Sequence, residues 1–479
     1  METGISHTND PLDIQTKGPS GRSAPYLEVS RGLEEKIRSG FYPTGSRLPP
    51  QRDLANELGI NVSTVSRAYK ELQARGLIVA SKRRGSIVTG GAMPKVAAGL
   101  APLLPGAAQD TSVGPIDLTV NRPATGEFVA RLAQAMGTIT RDSRFAQTQE
   151  YQPPQGPDWA RAAGAQWMAT TGFTPSVDNI VVTSGAQHGL YAVLSSLMGH
   201  DGVILSDQLT YYGLKALAPV FQFEIIGIPS DEEGLLPGPL EEACQRSRVK
   251  AIFTVPNLQN PTVVTMSLAR RLALVEIARR HHVPIIEDDV YGPLLRSRLP
   301  TIASLCPELT FHVTSTSKVL APGLRVGYVL TPPNGAALAA EAVRTTAWMP
   351  APLSMLIATR WIEDGTAQAI LDAQRTELAV RQQLAQELLP KDLLNSDPAC
   401  MFVWLRVPEP WRSDDFAANA QARGVNTMPA SAFAVDRATT EHGVRINLAC
   451  AASREQLVRA LKVLAQTLRD RPRALFGTI

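Results

Sequence analysis

From about residue 115 onward, short apolar β-branched runs alternate with longer helical patterns, and no other feature of the sequence restricts the fold as much. Ile180–Thr183, Val203–Leu205, Ala251–Val255, Pro284–Glu287, Phe311–Thr314 and Val326–Leu330 read as buried strands. Between the third and fourth lies Ser267–Arg280, where Leu268, Leu272 and Val275 fall at helical spacing. Such alternation predicts an α/β domain whose largely parallel sheet is covered by its crossover helices. From about Arg344 the pattern turns helical, then closes with a strand-rich stretch and a helix over Arg454–Arg469, which reads as a second, smaller subdomain.

The chain has 479 residues, more than one ordinary domain needs, with 44% hydrophobic and 19% charged residues, enough to bury a large core. The opening METGISHTND lacks the basic and then apolar stretches of a signal peptide. No run of about 18 apolar residues points to a membrane span, and a cytoplasmic location is expected. Cys244, Cys306, Cys400 and Cys450 are far apart and fit no disulfide or zinc spacing, so they are expected as buried thiols and no metal site is expected.

The net charge of +3 is unevenly spread. Residues 25–90 hold eleven Lys/Arg against six Asp/Glu, whereas the segments on either side are each close to neutral. A basic segment on a neutral body is the footprint of a nucleic-acid-binding module. Residues 1–24 read as a disordered arm, 25–89 as the basic module, the Gly/Ala/Pro-rich 90–114 as a linker, and 115–479 as the α/β domain.

Within the module, Tyr26–Ser39 reads as a first helix and Gln51–Leu58 as a second, closed by Gly59. In the third, Ser63–Arg75, Val65, Tyr69 and Leu72 share an apolar back, with Ser63, Ser66, Arg67 and Lys70 on the other face. Hydroxyls and arginine reach base edges in a major groove while lysine holds phosphate. The following strand, basic turn and strand read as a wing.

In the α/β domain, Lys318 lies just past a buried strand among small polar residues, STSKVLAPGLRVGY. Burying an ammonium is costly unless it is paired or used, and imine formation with an aldehyde is one use. Ser315 and Arg325 nearby suit a phosphate. So do the free amides where Ser184-Gly185-Ala186-Gln187 opens a helix. Asp288 ends a central strand, where it could keep a pyridine nitrogen protonated. Tyr291 and Asn260 can hydrogen-bond a phenolic oxygen, and Tyr211 can stack on a ring.

The stretch LPPQRDLANELGINVSTVSRAYKELQARGLI resembles the DNA-binding domain of the GntR family. The resemblance implies that Arg47 and Arg52 contact DNA, with Ser63, Thr64, Ser66 and Arg67 on or near the recognition surface. Val62 stands where the family usually has arginine. The ordered set of strand-end residues resembles fold-type I aminotransferases, from about Pro115 to the C-terminus. That resemblance implies pyridoxal 5'-phosphate bound as a Schiff base to Lys318, with Asp288 on the ring nitrogen and Asn260 and Tyr291 on the ring hydroxyl. Gly185, Ala186, Gln187, Ser315 and Arg325 would hold the phosphate, Tyr151 would reach the phosphate of a neighbouring subunit, and Arg445 would bind a substrate carboxylate. The chain departs from the usual pattern at Val263, where glycine is usual, and at Leu209, where proline is usual.

Together the halves resemble the MocR subfamily of GntR regulators: a winged helix-turn-helix joined to an aminotransferase-like domain with large and small subdomains. This implies a head-to-tail homodimer that binds a double-stranded DNA operator in response to an amine, an amino acid or a cofactor vitamer. A catalytically active aminotransferase with an accessory DNA-binding domain is the alternative, and slow half-transamination is compatible with either.

Overall fold

The computed structural model describes residues 25–39, 41–43, 45–74, 77–81, 85–88, 114–124, 126–198, 202–436 and 442–470. The expected N-terminal arm, nearly all of the expected linker and the basic wing turn at 82–84 lie outside the described residues. The chain divides into two compact units, Met1–Pro105 and Gly106–Ile479.

In the first unit, α1 (Pro25–Arg38), α2 (Gln51–Leu58) and α3 (Val62–Ala74) precede an antiparallel hairpin of β1 (Ile78–Ser81) and β2 (Gly85–Val88). Gly59 ends α2 in the left-handed conformation, φ +64°, which a residue without Cβ adopts at no steric cost. Two residues on, Asn61 starts α3. Its Oδ1 accepts from the Ser63 amide at 2.9 Å and the Ser63 hydroxyl at 3.0 Å. The apolar back expected for α3 is observed: Val65, Tyr69 and Leu72 are buried with Val29, Leu33 and Ile37 of α1 and Leu54 of α2.

The second unit is built on seven strands: β3 (Ile180–Thr183), β4 (Val203–Asp207), β5 (Glu224–Ile228), β6 (Val249–Thr254), β7 (Ile285–Asp288), β8 (Thr310–Ser315) and β9 (Gly327–Leu330). Their order is β3-β9-β8-β7-β6-β4-β5, and only β9 runs antiparallel to its neighbours. The sequence reading finds every strand except β5, which is only partly buried over most of its length and carries no continuous apolar run. Helices α4 (Ala186–Leu197) and α5 (Leu268–His281) follow β3 and β6. The C-terminal ends of β7 and β8 bring Asp288 and Ser315 to one rim of the sheet, where ligands of open α/β folds bind.

The smaller subdomain packs α6 (Thr366–Leu388) and α7 (Arg454–Arg469) on a short sheet whose central strands are β10 (Phe402–Arg406) and β11 (Gly443–Asn447). It is not purely C-terminal. Ile116–Asp117 pairs in parallel with Val425–Asn426, and Leu118 is fully buried in the same core. The first described stretch of the unit is thereby stitched into its last third. All four cysteines are buried and unpaired. Among the described residues, no helix is long and apolar enough to cross a membrane.

Candidate cofactor site and DNA-facing surface

One cavity gathers most of the residues singled out in the second unit. Ala186, Gln187, Tyr211, Asn260, Asp288, Tyr291, Ser315, Lys318 and Arg325 line it, with Val255, Val290 and Ser317, around about 520 Å³ of empty space.

At one end the groups suit an anion. The α4 amide ladder first closes with Gly189 N–H on the Gly185 carbonyl, 3.0 Å, so the amides before it are the unfilled donors of a helix start. Gly185 has φ +88°, and a Cβ there would lie 2.6 Å from Arg325 Nη2, so glycine lets the backbone and the guanidinium come together. Arg325 itself adopts φ +53° and donates to Ser317 Oγ at 3.3 Å and to the Ser184 carbonyl at 3.2 Å. Ser317 is a lining residue that the sequence reading passed over, although it lies between Ser315 and Lys318.

At the other end Lys318 and Asp288 carry strongly displaced acidities. Burial first, then the positive charges of Arg445 and Arg325, bring the Lys318 ammonium down to about 8. Burial, reinforced by the neighbouring Asp289 carboxylate, pushes Asp288 up to about 7, although the Val290 amide, His312 and Lys318 oppose it. Lys318 Nζ donates to the Asn121 main-chain carbonyl at 3.0 Å. Asn121 Nδ2 in turn donates to the Tyr291 hydroxyl oxygen at 2.7 Å, which leaves the phenol its own proton to give. Burial raises the pKa values of Tyr291 and Tyr211 well above the phenol range, so both are neutral.

Arg445 is fully buried. Nη1 donates to Asn260 Oδ1 at 2.7 Å and Nη2 to the Thr119 carbonyl, while the guanidinium lies 5.0 Å from the Phe433 ring centre and 5.5 Å from that of Phe402. Nη2 also meets Met428 Sδ at 3.5 Å; among the described residues no carboxylate pairs with the guanidinium, and its Nε–H has no partner. Asn260 spends its oxygen on Arg445 and keeps its amide donor. Asn121 and Thr119 were missed by the sequence reading. They belong to a short polar stretch, TVNRPATG, with no helical or strand periodicity, and only the pairing of Ile116–Asp117 with Val425–Asn426 brings them here.

Tyr151 does not join the cavity of its own chain. It is 80% exposed, with its ring against Trp348. Leu209 is buried and bridges to Ala434, and Gln259 Nε2 donates to its carbonyl at 2.7 Å. Val263 holds φ +70°, a left-handed conformation that a β-branched residue rarely takes.

In the first unit Arg47, Arg52, Ser63, Arg67 and Lys70 are exposed, and Thr64 and Ser66 are partly so. Arg67 is stacked on Tyr26, 4.6 Å from the ring centre, and the Ser63 hydroxyl is engaged by Asn61. Val62 is 39% exposed at the start of α3.

Residues 113–464 match the family described as aminotransferase class I and II, and residues 25–88 match bacterial regulatory proteins of the gntR family. The chain belongs to the aminotransferase class I and II family, a pyridoxal-phosphate-dependent family, and carries ahead of that domain a GntR-type helix-turn-helix, the pairing of MocR-like regulators. It is 28% identical over 466 residues to the HTH-type transcriptional regulator YdeF of Bacillus subtilis, covering 97% of this chain and 99% of that protein. It is 25% identical over 452 residues to the HTH-type transcriptional regulator TauR of Rhodobacter capsulatus, covering 88% and 92% of the two. Among solved structures, the kynurenine aminotransferase of Pyrococcus horikoshii matches with a TM-score of 0.67 at 25% identity, over 74% of this chain and 91% of that one.

Proposed function

We propose that this protein is a DNA-binding transcription regulator whose second unit holds pyridoxal phosphate and reads a small molecule carrying both an amine and an acid. The buried Arg445 guanidinium carries this reading. A cation with no carboxylate partner among the described residues, over two aromatic rings, is costly unless an anionic ligand completes it.

The donor set fits the cofactor: hydroxyls, helix-start amides and Arg325 for a phosphate, Lys318 for an aldehyde, Asp288 for a ring nitrogen, and Tyr211 for stacking on the ring. When bound, the cofactor supplies an aldehyde that condenses with a primary amine, losing water, and a ring that withdraws electrons. Lys318, with its pKa lowered to about 8, is deprotonated often enough near neutral pH to act as that amine. Tyr291 and Asn260 hold donors toward the ring hydroxyl, and Arg445, whose Nη1 and Nη2 each already give one N–H to Asn260 and Thr119, would offer its remaining N–H donors to a carboxylate or sulfonate.

The exposed cations and hydroxyls of α2 and α3 would meet operator DNA in the cytoplasm. Tyr151, exposed and outside its own cavity, would serve a second copy in a head-to-tail homodimer. The effector changes DNA affinity only by as much as it binds the two dimer arrangements differently. To test this, purified protein is titrated with a fluorescent operator with and without pyridoxal phosphate and then γ-aminobutyrate, taurine or amino acids. A shift in operator affinity with an amino acid supports the reading; a response to pyridoxal phosphate alone would make the vitamer the signal. Lys318, Asp288 and Arg445 are also the groups a working aminotransferase would need, and sustained turnover with a keto-acid acceptor would be the result that replaces the regulator reading.

A further inference from the structure

Beneath Asp288 the sheet buries an ionic cluster that the proposed chemistry does not use. Three consecutive acids, Glu287, Asp288 and Asp289, are all at least nine-tenths buried. Asp288 lines the cavity, and the strand alternation turns its two neighbours to the far side. There, His312 of β8 stands directly opposite Glu287 of β7 and is itself 2% exposed.

The hydrogen bonds fix what His312 must be. Its Nδ1 is 2.9 Å from Glu287 Oε2, and Glu287 also accepts from the Ile302 and Ala303 amides at 2.8 and 2.9 Å, so Glu287 is an anion. On the other side His312 Nε2 has no hydrogen-bond partner, and the nearest acid is Asp289 Oδ2 at 3.8 Å. Asp289 accepts from Asn257 Nδ2 at 2.7 Å and from Arg298, so it too is an anion. A neutral imidazole has one N–H and one lone pair. Either tautomer would therefore turn a lone pair toward a buried carboxylate. The imidazolium alone donates to Glu287 while turning positive charge, not a lone pair, toward Asp289.

Charge leads to the same state. The cluster faces Arg298 from the loop after β7 and Arg271 from α5, the latter fully buried and donating to Asn257 Oδ1 at 2.6 Å. Asp288 faces Lys318 across the cavity and Asp289 is paired with Arg298, whereas among the described residues the cation-forming side chain within hydrogen-bond reach of Glu287 is His312. Burial by itself would make His312 less basic, but the Glu287 charge and hydrogen bond, with Asp289, outweigh it and raise its basicity.

We propose that His312 is a positioning residue for the cofactor ring: held as an imidazolium between Glu287 and Asp289, it supplies the buried positive charge that keeps Asp288 an anion. This rests on the reading that Asp288 meets the ring nitrogen. His312 touches neither cofactor nor effector, and its action is through space on its neighbour's ionisation.

Two measurements test it on the full-length protein. The chain has seven histidines, so ring-15N histidine labelling with His312→Gln as the assignment variant isolates one signal. Both ring nitrogens of His312 should be protonated at pH 7, in the presence and absence of pyridoxal phosphate; a neutral tautomer at pH 7 overturns the proposal. His312→Gln keeps a donor toward Glu287 without the charge. Its pyridoxal phosphate affinity at pH 7.5 should fall about tenfold, and the Asp288-dependent step in the absorbance–pH profile should move up by about one unit. A wild-type profile in a folded variant refutes the proposal, and if the variant does not fold, the nitrogen shifts of the wild type decide. Asp288→Asn separates the two readings: if it leaves the wild-type profile unchanged, the assignment of Asp288 fails, independently of His312.

Discussion

The chain presents cations on two surfaces that obey different electrostatics. On α2 and α3 of the first unit, Arg52, Arg67 and Lys70 stand exposed in water. In the second unit, Lys318 lines the cavity and is displaced to about 8 by burial and by neighbouring positive charge, while Arg445 is fully buried outside the lining and touches it through Asn260. Exposed charges act collectively and are screened by salt, so each one contributes modestly to holding a polyanion. Buried charges act singly, because losing one leaves its partners desolvated. Substitutions on the two surfaces should therefore differ in size, in salt sensitivity and in what they leave intact.

The largest effect is expected at Lys318. Lys318→Ala should abolish the cofactor absorbance band and the borohydride-trappable adduct while operator-binding residues stay folded. A surviving adduct would point to another lysine. Lys215 is a poor substitute, since its Nζ is tied to the Ala432 and Ala434 carbonyls at 3.1 and 2.6 Å. The lowered pKa of Lys318 sharpens the contrast. The neutral amine is the nucleophile, so capture of pyridoxal phosphate by the apoprotein should speed up roughly tenfold per pH unit below about 8 and level off above it. A rate still climbing steeply at pH 10 would mean that Lys318 keeps the acidity of an exposed lysine.

Arg445→Ala should cost about two orders of magnitude in the response to an amine-and-acid effector, the loss of two charge-assisted hydrogen bonds. The cofactor should still bind, because Arg445 is not among the residues that line the cavity, but Lys318 should titrate higher once the Arg445 charge is gone. An undiminished effector response would remove Arg445 from the recognition site.

Arg52→Ala on the exposed face of α2 should weaken all DNA sequences alike, several-fold, and reduce the slope of log affinity against log salt by about one. Cofactor absorbance should not change. A sequence-dependent loss would make Arg52 a base reader.

How much of this was legible before the structure depends on where a residue's partners lie. Strand ends announce themselves: Asp288, Ser315 and Lys318 follow dense apolar runs, and the fold could be read from those runs and their spacing. The weakest strand, Glu224–Ile228, carried no such run and was missed. The opposite wall of the cavity was also invisible. Asn121 and Thr119 reach Lys318, Tyr291 and Arg445 only because Ile116–Asp117 pairs with residues more than 300 positions away. No local periodicity encodes such a contact. Val263 is a third kind of case: the departure from glycine could be seen in the sequence, but its left-handed φ of +70° could not. His312 read as one more polar residue in a buried run until its register opposite Glu287 was known.

The smallest predicted effect compares the two surfaces through one interaction. Both carry an arginine stacked on aromatic rings: Arg67 on Tyr26 at 4.6 Å and Arg445 over Phe433 at 5.0 Å. Attraction between a cation and a ring is worth about 0.5–1 kcal/mol where water reaches it and about 2 kcal/mol or more where it does not. Arg67 is exposed, so Tyr26 does little to stabilise the unit, but it restricts where the guanidinium's in-plane donors point. Tyr26→Ala should therefore weaken operator binding only about two- to fivefold, the equivalent of about 0.5–1 kcal/mol. If Arg67 reads a base edge, that loss should concentrate at one base pair and vanish on an operator altered there. Tyr26→Phe should behave as wild type, since it keeps the ring face. A uniform loss across operators would assign the pair to phosphate contact or to the packing of α1 on α3, and would leave the base-reading role to the hydroxyls of α3.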